Sequence, residues 1–267
     1  MNMNSRFEIL PFGAGVAQAA ELPEHVRLTV TCSPKHGPDL SVEVGTQLRA
    51  IGHDVTIHLC SRMVRGRAHL DELLGRMAAA GIDDAFVVGG DALQPLGEYS
   101  SAVQLLPVIH EHPNRPRTLG IAGYPEAHPL IDPATLSDAL AQKLPYADYV
   151  TTQLCFEPDT ILRFVRQIDL PVIVGMPGIV DPKRLLEISV KVGVGPSLRY
   201  LRKQRSLRRL FRLSGSADAL YDALAPHGDV IDGFHYFTFN RLLDTWNWEQ
   251  SKRTSIAPEA QKEVTPT

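Results

Sequence analysis

The sequence predicts an α/β protein that folds as a single (β/α)8 TIM barrel, and three observations support this prediction. The chain has 267 residues, a length at which α/β barrels commonly form one undivided domain. Short β-branched runs alternate along it with longer amphipathic segments. Eight such repeats imply parallel strands, because each parallel pair needs a crossover, usually a helix. A doubly wound open sheet is the alternative, but the first run and its turn, FEILPFGAG, do not match GxGxxG.

The predicted elements follow from local patterns. Helical periodicity is clearest in HLDELLGRMAAAG, residues 69–81, where apolar residues recur three and four positions apart. Asp39 and Asp159 suit the N-cap or first turn of a helix, and Gly52 and Gly81 suit the position just after one. The predicted strands are residues 7–10, 28–32, 55–60, 85–88, 118–122, 149–154, 172–174 and 233–237.

An extra helical insertion is predicted between the seventh and eighth strands, within residues 176–230. Its middle, RYLRKQRSLRRLFR at 199–212, carries seven basic residues. These predict a solvated helix face or, alternatively, a patch that binds a poly-acidic substrate tail. We assign residues 1–250 to one catalytic barrel domain. Residues 251–267 are polar and contain proline, and we expect a disordered tail there.

Composition and charge exclude several classes of protein. An apolar content of 44% with 21% charged residues is ordinary for a soluble globular enzyme. The net charge of −3 provides no general attraction to nucleic acid or to anionic membranes. The chain has no run of about eighteen apolar residues and no signal-peptide pattern at its start. We expect a cytoplasmic enzyme without nucleic-acid or membrane partners, and its assembly into a homo-oligomer is left open.

The cysteines predict packing rather than chemistry. Cys32, Cys60 and Cys155 form no CxxC pair, and each lies in or at the end of an apolar run. We expect reduced thiols that pack as small hydrophobic groups. His58 and Cys60 alternate on one predicted strand, but two ligands without a second cluster do not predict a metal site.

Catalytic groups in such a barrel come from the C-terminal ends of the strands and the loops that follow. Glu8 is the most informative candidate, because a carboxylate inside a short apolar strand is costly unless it is paired or used. An ordinary alternating strand with Glu8 facing a helix is the alternative. The other polar candidates at strand ends are Thr31, His58, Asp91, Tyr124, Glu126, His128, Thr151, Thr152, Gln153, His235, Thr238, Asn240 and Arg241.

Two predicted loops contain residues suited to contact a ligand. GYPEAHP, residues 123–129, places titratable side chains between two prolines that stiffen the segment. The GGD turn at 89–91 lets the backbone approach a ligand closely, with a carboxylate beside it. Each segment by itself is equally consistent with an ordinary loop, and their common placement at strand ends favours a site.

Six segments in this order resemble the methylenetetrahydrofolate reductase family: FEILPF, VTCSPKHG, GGD, AGYPEAHP, VTTQLCF and FHYFTFNR. The resemblance runs from residue 5 to about residue 245. YPEAHP and TTQLCF are its more specific segments, whereas GGD is common. The family fold is a (β/α)8 barrel, which agrees with the strand count.

The resemblance implies interconversion of 5,10-methylenetetrahydrofolate and 5-methyltetrahydrofolate with NADH or NADPH, usually relayed by FAD. Glu8 matches the general acid that protonates N10, and Asp91 matches the carboxylate that stabilises the resulting iminium ion. Gln153 matches the amide that holds the folate, and Arg241 is expected at the folate with Asp91. The residues expected to contact FAD are Thr31, His58, Asp91, Tyr124, His128 and Lys143.

The departures from the family pattern fall mainly on the flavin half of the site. Gly89 replaces an arginine, Cys32 a tyrosine, Ala139 and Gln142 an asparagine and an arginine, and Phe237 another tyrosine. Flavin-independent transfer from NADH is therefore an alternative. A folate-binding methyltransferase barrel and a catalytically silent binding module are further alternatives. The sequence does not set the direction of the reaction or the choice between NADH and NADPH.

Overall fold

A computed structural model of the chain describes residues 4–128, 131–180 and 216–256. Eight parallel strands close a barrel in chain order, and β8 pairs with β1. This confirms the predicted fold class and excludes the open sheet. The strands are β1 (Asn4–Ile9), β2 (Arg27–Val30), β3 (Asp54–Cys60), β4 (Asp84–Val88), β5 (Thr118–Gly123), β6 (Tyr149–Thr152), β7 (Val172–Pro177) and β8 (Gly233–Phe237).

Helices follow the strands and cover the outside of the barrel. Among the described residues they are α1 (Ala14–Ala19), α2 (Gly37–Ala50), α3 (Arg67–Ala79), α4 (Ala102–His110), α5 (Pro133–Lys143), α6 (Pro158–Val165), α7 (Ser216–Leu224) and α8 (Leu242–Ile256). None of the helices in the described ranges is long and apolar enough to cross a membrane.

The predicted helix ends are confirmed. Gly52 and Gly81 have φ of +95° and +67° and lie two residues beyond the last residues of α2 and α3. Such left-handed positions favour glycine, which lacks a Cβ. Asp39 and Asp159 lie in the first turns of α2 and α6, where a negative charge is favourable.

A buried polar layer fills the barrel below the strand ends. Arg6 Nη1 contacts Asp84 Oδ2 at 2.6 Å, and the Tyr149 hydroxyl donates to Asp84 Oδ1 at 3.0 Å. The Arg6 guanidinium also lies 4.2 Å from the centre of the Tyr149 ring. Gly120 makes room for that ring, because a Cβ there would lie 2.2 Å from it. Arg6 of β1 is therefore paired, and this polar layer fills the barrel interior beneath the C-terminal ends of the strands.

The predicted tail is wrong at its start, because α8 continues to Ile256. The boundary placed at residue 250 falls inside this helix. Glu249 is 1% exposed and accepts a hydrogen bond from Ser5 Oγ at 2.8 Å, and Arg253 contacts both groups. These contacts hold the helix against the start of β1. Residues 257–267 and the basic segment 199–212 lie outside the described residues.

Candidate active site

Glu8 points into the barrel. Its Oε2 lies 3.2 Å from His235 Nε2 on β8 and 3.8 Å from His58 Nε2 on β3. Because β2 separates β1 from β3, side chains of β1 and β3 can meet in this way only inside the barrel. The side chains of Glu8, His58 and His235 are 13%, 12% and 4% exposed. The alternative in which Glu8 faces a helix is excluded.

His58 borders this cluster as an uncharged imidazole near pH 7. Burial lowers its pKa to about 4, an effect that Glu8 opposes only in part. Its ring packs against Phe86 with centroids 4.9 Å apart. His58 Nε2 is buried and has no hydrogen-bond partner among the described residues, so a ligand in the barrel mouth would meet an unpaired ring nitrogen.

The turn after β8 holds the end of β1. Thr238 Oγ1 donates to the Glu8 carbonyl at 2.5 Å. Asn240 adopts φ of +63°, accepts from the Leu10 N–H at 2.9 Å and donates to the Phe12 carbonyl at 2.5 Å. The sequence placed Thr238 and Asn240 at a strand end but gave them no role. Their role is to fix the backbone on which Glu8 stands.

Arg62 organises the loop that carries Asp91. Its guanidinium donates to the carbonyls of Ala92, Leu93 and Ser100 at 2.7, 2.9 and 3.2 Å. The aspartate itself is exposed to solvent. Arg62 was not a sequence candidate, because nothing in its local pattern shows that three carbonyls of a later loop converge on it.

The charge of Asp91 influences two side chains of the GYPEAHP loop. Burial and then the Asp91 charge raise the pKa of Tyr124. Burial also lowers the pKa of His128, against the influence of Asp91. The two rings pack edge to face with centroids 5.2 Å apart. Tyr124 and His128 are thus neutral near pH 7 and present a mixed polar and aromatic surface beside one carboxylate.

The cysteines of this rim are free thiols, as predicted. Cys60 and Cys155 are buried, and Cys32 is half-buried. The neighbouring Cys32 and burial raise the pKa of the Cys60 thiol. Gly90 has φ of +86°, and a Cβ there would lie 3.0 Å from the Cβ of Cys60. The glycine therefore lets the GGD turn pass close over the end of β3.

The remaining folate candidates occupy two different settings. Gln153 follows β6, and its Oε1 accepts from the Leu154 N–H at 2.8 Å, while its amide N–H donors have no partner in the part of the chain that the structure describes. Arg241 follows β8 and pairs with Asp244 at 2.7 Å on the exposed rim. The side chain of Gln153 is held by a backbone N–H, whereas that of Arg241 is held by another exposed side chain. The orientation of Gln153 is therefore better defined.

The residues expected at FAD offer few free cationic donors. Lys143 is buried and donates to the Ala122 carbonyl at 2.9 Å, and burial lowers its pKa to about 8. A Cβ on Gly89, where the family has an arginine, would meet no atom within 4 Å. Thr31 contributes a buried hydroxyl that has no partner among the described residues. A diphosphate is held by charge-assisted donors, and among the described residues at these positions the one lysine, Lys143, is already bonded to a backbone carbonyl.

The structure brings the predicted residues together in part. Glu8 and His58 meet inside the barrel, and Asp91 lies near Tyr124 and His128 at the rim. Lys143 is held by a backbone carbonyl instead of facing an open site. His235 is the main addition, since the sequence analysis noted it as a polar strand residue without assigning a role.

Comparison with known proteins identifies the family of the chain and finds similar folds. Residues 18–194 match the family model described as methylenetetrahydrofolate reductase. An uncharacterised protein from Clostridium thermocellum that binds two copies of 5-methyl-5,6,7,8-tetrahydrofolic acid has a similar fold, with a TM-score of 0.58 at 14% identity over 88% of this chain and 87% of that chain. A proposed lyase/mutase from Burkholderia cenocepacia has a TM-score of 0.51 at 17% identity over 98% and 85% of the two chains. At these identities the likeness concerns the fold.

Proposed function

Because the chain belongs to the methylenetetrahydrofolate reductase family, we propose that it interconverts 5,10-methylenetetrahydrofolate and 5-methyltetrahydrofolate with NADH or NADPH. One observation carries the proposal: a carboxyl group, Glu8, stands inside the barrel mouth within 3.2 Å of an imidazole. The matched residues 18–194 do not include Glu8, so its assignment rests on this geometry and on the motif around it. The folate-binding protein from Clostridium thermocellum supports a folate ligand for a barrel of this shape.

In the reductive direction Glu8 donates its proton to N10 of the folate. The bond between N10 and the bridging carbon then breaks, and the electron pair stays on N10. The bridging carbon becomes an N5 iminium ion, and hydride from C4 of the nicotinamide converts it to a methyl group. One proton and one hydride are consumed, and Glu8 regains its proton from solvent. A positioned general acid typically accelerates such a step about a hundred- to ten-thousandfold.

Asp91 and Gln153 serve the folate in this proposal. The Asp91 carboxylate stabilises the positive iminium, because an oriented charge acts where charge develops in the transition state. Tyr124 and His128 are neutral beside it and do not neutralise that charge. Gln153 donates from its amide nitrogen to the pterin edge, while its oxygen stays on the Leu154 N–H.

The hydride can reach the folate through FAD or directly from the nicotinamide, and the residues expected to contact FAD bear on this choice. FAD, when bound, would supply a two-electron carrier between the nicotinamide and the folate. Its diphosphate finds a poor donor set here, because Lys143 is engaged with Ala122 and Gly89 offers no side chain. We therefore favour direct transfer from NADH or NADPH, with FAD bound weakly or not at all. Transfer through FAD is the alternative.

Deuterium transfer tests both points. The protein is incubated with 5,10-methylenetetrahydrofolate and NADH or NADPH that carries deuterium on either face of C4, with and without added FAD. Direct transfer predicts that deuterium from one of the two faces is retained in 5-methyltetrahydrofolate and that the rate does not depend on FAD. Loss of deuterium to solvent with saturable activation by FAD would support the relay, because the N5 hydrogen of a reduced flavin exchanges with water.

The same assay distinguishes the proposed reductase from other classes of function. A product that never depends on NADH or NADPH would overturn the oxidoreductase proposal. Consumption of 5-methyltetrahydrofolate with a methyl acceptor and no nicotinamide would identify a methyltransferase. Folate binding without any turnover would identify a binding module.

A further inference from the structure

The two oxygens of Glu8 have different surroundings. Both imidazole contacts go to Oε2, and only the one from His235, at 3.2 Å, is within hydrogen-bond reach. Within the described ranges, no hydrogen bond reaches Oε1. One oxygen is therefore held by the protein, and the other is left for a substrate.

His235 is itself rigidly placed. It lies on β8, paired with Arg6 of β1 and with Gly175 of β7. Its ring packs edge to face on Phe237 with centroids 4.9 Å apart. A Cβ on Gly175 would lie 2.8 Å from the Phe237 ring, so the glycine preserves the space in which these two rings pack.

The hydrogen bond also fixes which imidazole nitrogen carries hydrogen. An ionised Oε2 accepts only from Nε2–H, which selects that tautomer of His235. His58 does not replace it, because its nitrogen is 3.8 Å away. When Glu8 takes up a proton while Oε2 keeps its donor, the proton goes to Oε1, the oxygen open to the substrate.

We propose that His235 is the positioning residue of Glu8: its Nε2–H holds Oε2 and thereby places the acidic proton on Oε1, facing N10 of the folate. This inference rests on the proposed function. The role differs from that of a general acid, because His235 acts through the carboxyl group and does not touch the folate. It requires a donor at the Nε2 position and does not require an imidazole ring.

Two substitutions separate the donor from the ring. His235→Gln keeps an N–H near the Nε2 position, whereas His235→Leu removes it. A charged hydrogen bond of this kind corresponds to a rate effect of about ten- to a hundredfold. We expect His235→Leu to lower kcat by that factor with little change in KM for 5,10-methylenetetrahydrofolate. In His235→Leu the alkaline limb of the plot of kcat against pH should shift to higher pH, because the donor that favours the carboxylate form of Glu8 is lost. His235→Gln restores most of the rate.

A matched control comes from a second imidazole–carboxylate pair outside the barrel. His112 Nε2 lies 3.0 Å from Asp71 Oδ1, and the His112 side chain is 4% exposed. His112→Leu breaks the same kind of contact, and we expect a lower melting temperature with unchanged kcat and pH profile. Circular dichroism and tetrahydrofolate binding establish that each variant is folded.

A double-mutant cycle gives the decisive comparison. In the Glu8→Gln background, His235→Leu should cause no further loss, because residues that act as a unit are non-additive. Equal additional loss in both backgrounds would overturn the inference, as would an unchanged pH profile in His235→Leu or an equal loss of kcat in His112→Leu. Failure of the wild-type protein to turn over folate would instead overturn the proposed function, and this role with it.

Discussion

At position 8 the chain carries a carboxyl group into the barrel, where its proton is available to a substrate in the mouth. We expect Glu8→Gln to lower folate turnover about a hundred- to ten-thousandfold, because an amide keeps the shape but cannot donate an acidic proton. Tetrahydrofolate binding should remain, and any reduction of bound flavin by NADH should also remain. Turnover is measured as NADH-dependent formation of 5-methyltetrahydrofolate.

Glu21→Gln is the control for this substitution, because Glu21 is an exposed carboxylate beyond the end of α1. We expect wild-type turnover from it. Wild-type turnover from Glu8→Gln would remove Glu8 from the mechanism.

A second prediction at this scale concerns Gln153. We expect Gln153→Ala to weaken tetrahydrofolate binding by about 1–3 kcal/mol, because a polar atom of the bound pterin loses its partner. Gln153→Glu keeps an acceptor for the Leu154 N–H but loses the donor, so it should weaken binding at least as much. Calorimetric titration measures both, with the exposed Gln167→Ala as control. Unchanged affinity in both Gln153 variants would place the folate elsewhere.

At the scale of elements, α8 holds the start of β1, the strand that carries Glu8, through contacts with Ser5. Glu249 is a buried carboxylate that contacts Ser5 of β1 and, on the same helix, Gln250 and Arg253. A chain that ends at residue 250 loses Arg253 and leaves this charge without its cation. Removing one partner of a buried ion pair typically costs about 3–5 kcal/mol.

We therefore expect the chain cut after residue 250 to unfold at lower urea concentration than a chain cut after residue 256. The longer chain is the matched control, because it retains the whole of α8. The point variant Arg253→Ala should reproduce most of the loss. Equal urea midpoints for the two truncated chains would contradict a stabilising role for the end of this helix.

For the whole molecule, closing the barrel makes stability depend on pH through His58. Its pKa is about 4 when folded, against 6.5 for an unperturbed histidine, because burial disfavours the charged ring. The unfolded chain therefore takes up this proton first as pH falls. Stability is lost as pH falls from about 6.5 to about 4, and is present in full only above the unfolded pKa.

We expect His58 to lower the free energy of unfolding by about 2 kcal/mol between pH 7 and pH 5. Urea unfolding at the two pH values measures this. His58→Gln removes the titrating group, so its stability should change less between them. The exposed His110→Gln should keep the wild-type dependence. The same pH dependence in His58→Gln would show that other groups carry it.

The sequence by itself determined the elements and the candidates at their ends. Helix stops at Gly52 and Gly81 could be predicted, because a left-handed residue is required there and the requirement is local. The eight strands could be predicted because parallel strands need crossovers and the spacing of apolar runs shows them. Glu8 stood out for a similar reason, since a charge within an apolar run is costly wherever that strand goes.

Tertiary structure alone decided which groups meet. Glu8 and His235 are 227 residues apart, and they touch only because β8 pairs with β1 when the barrel closes. The same closure pairs Arg6 with Asp84, and α8 reaches β1 for the same reason. Lys143 matched a family position, but its ammonium lies on the Ala122 carbonyl. A local pattern records what a residue can do, whereas its partner is set by contacts between segments that lie far apart in the chain.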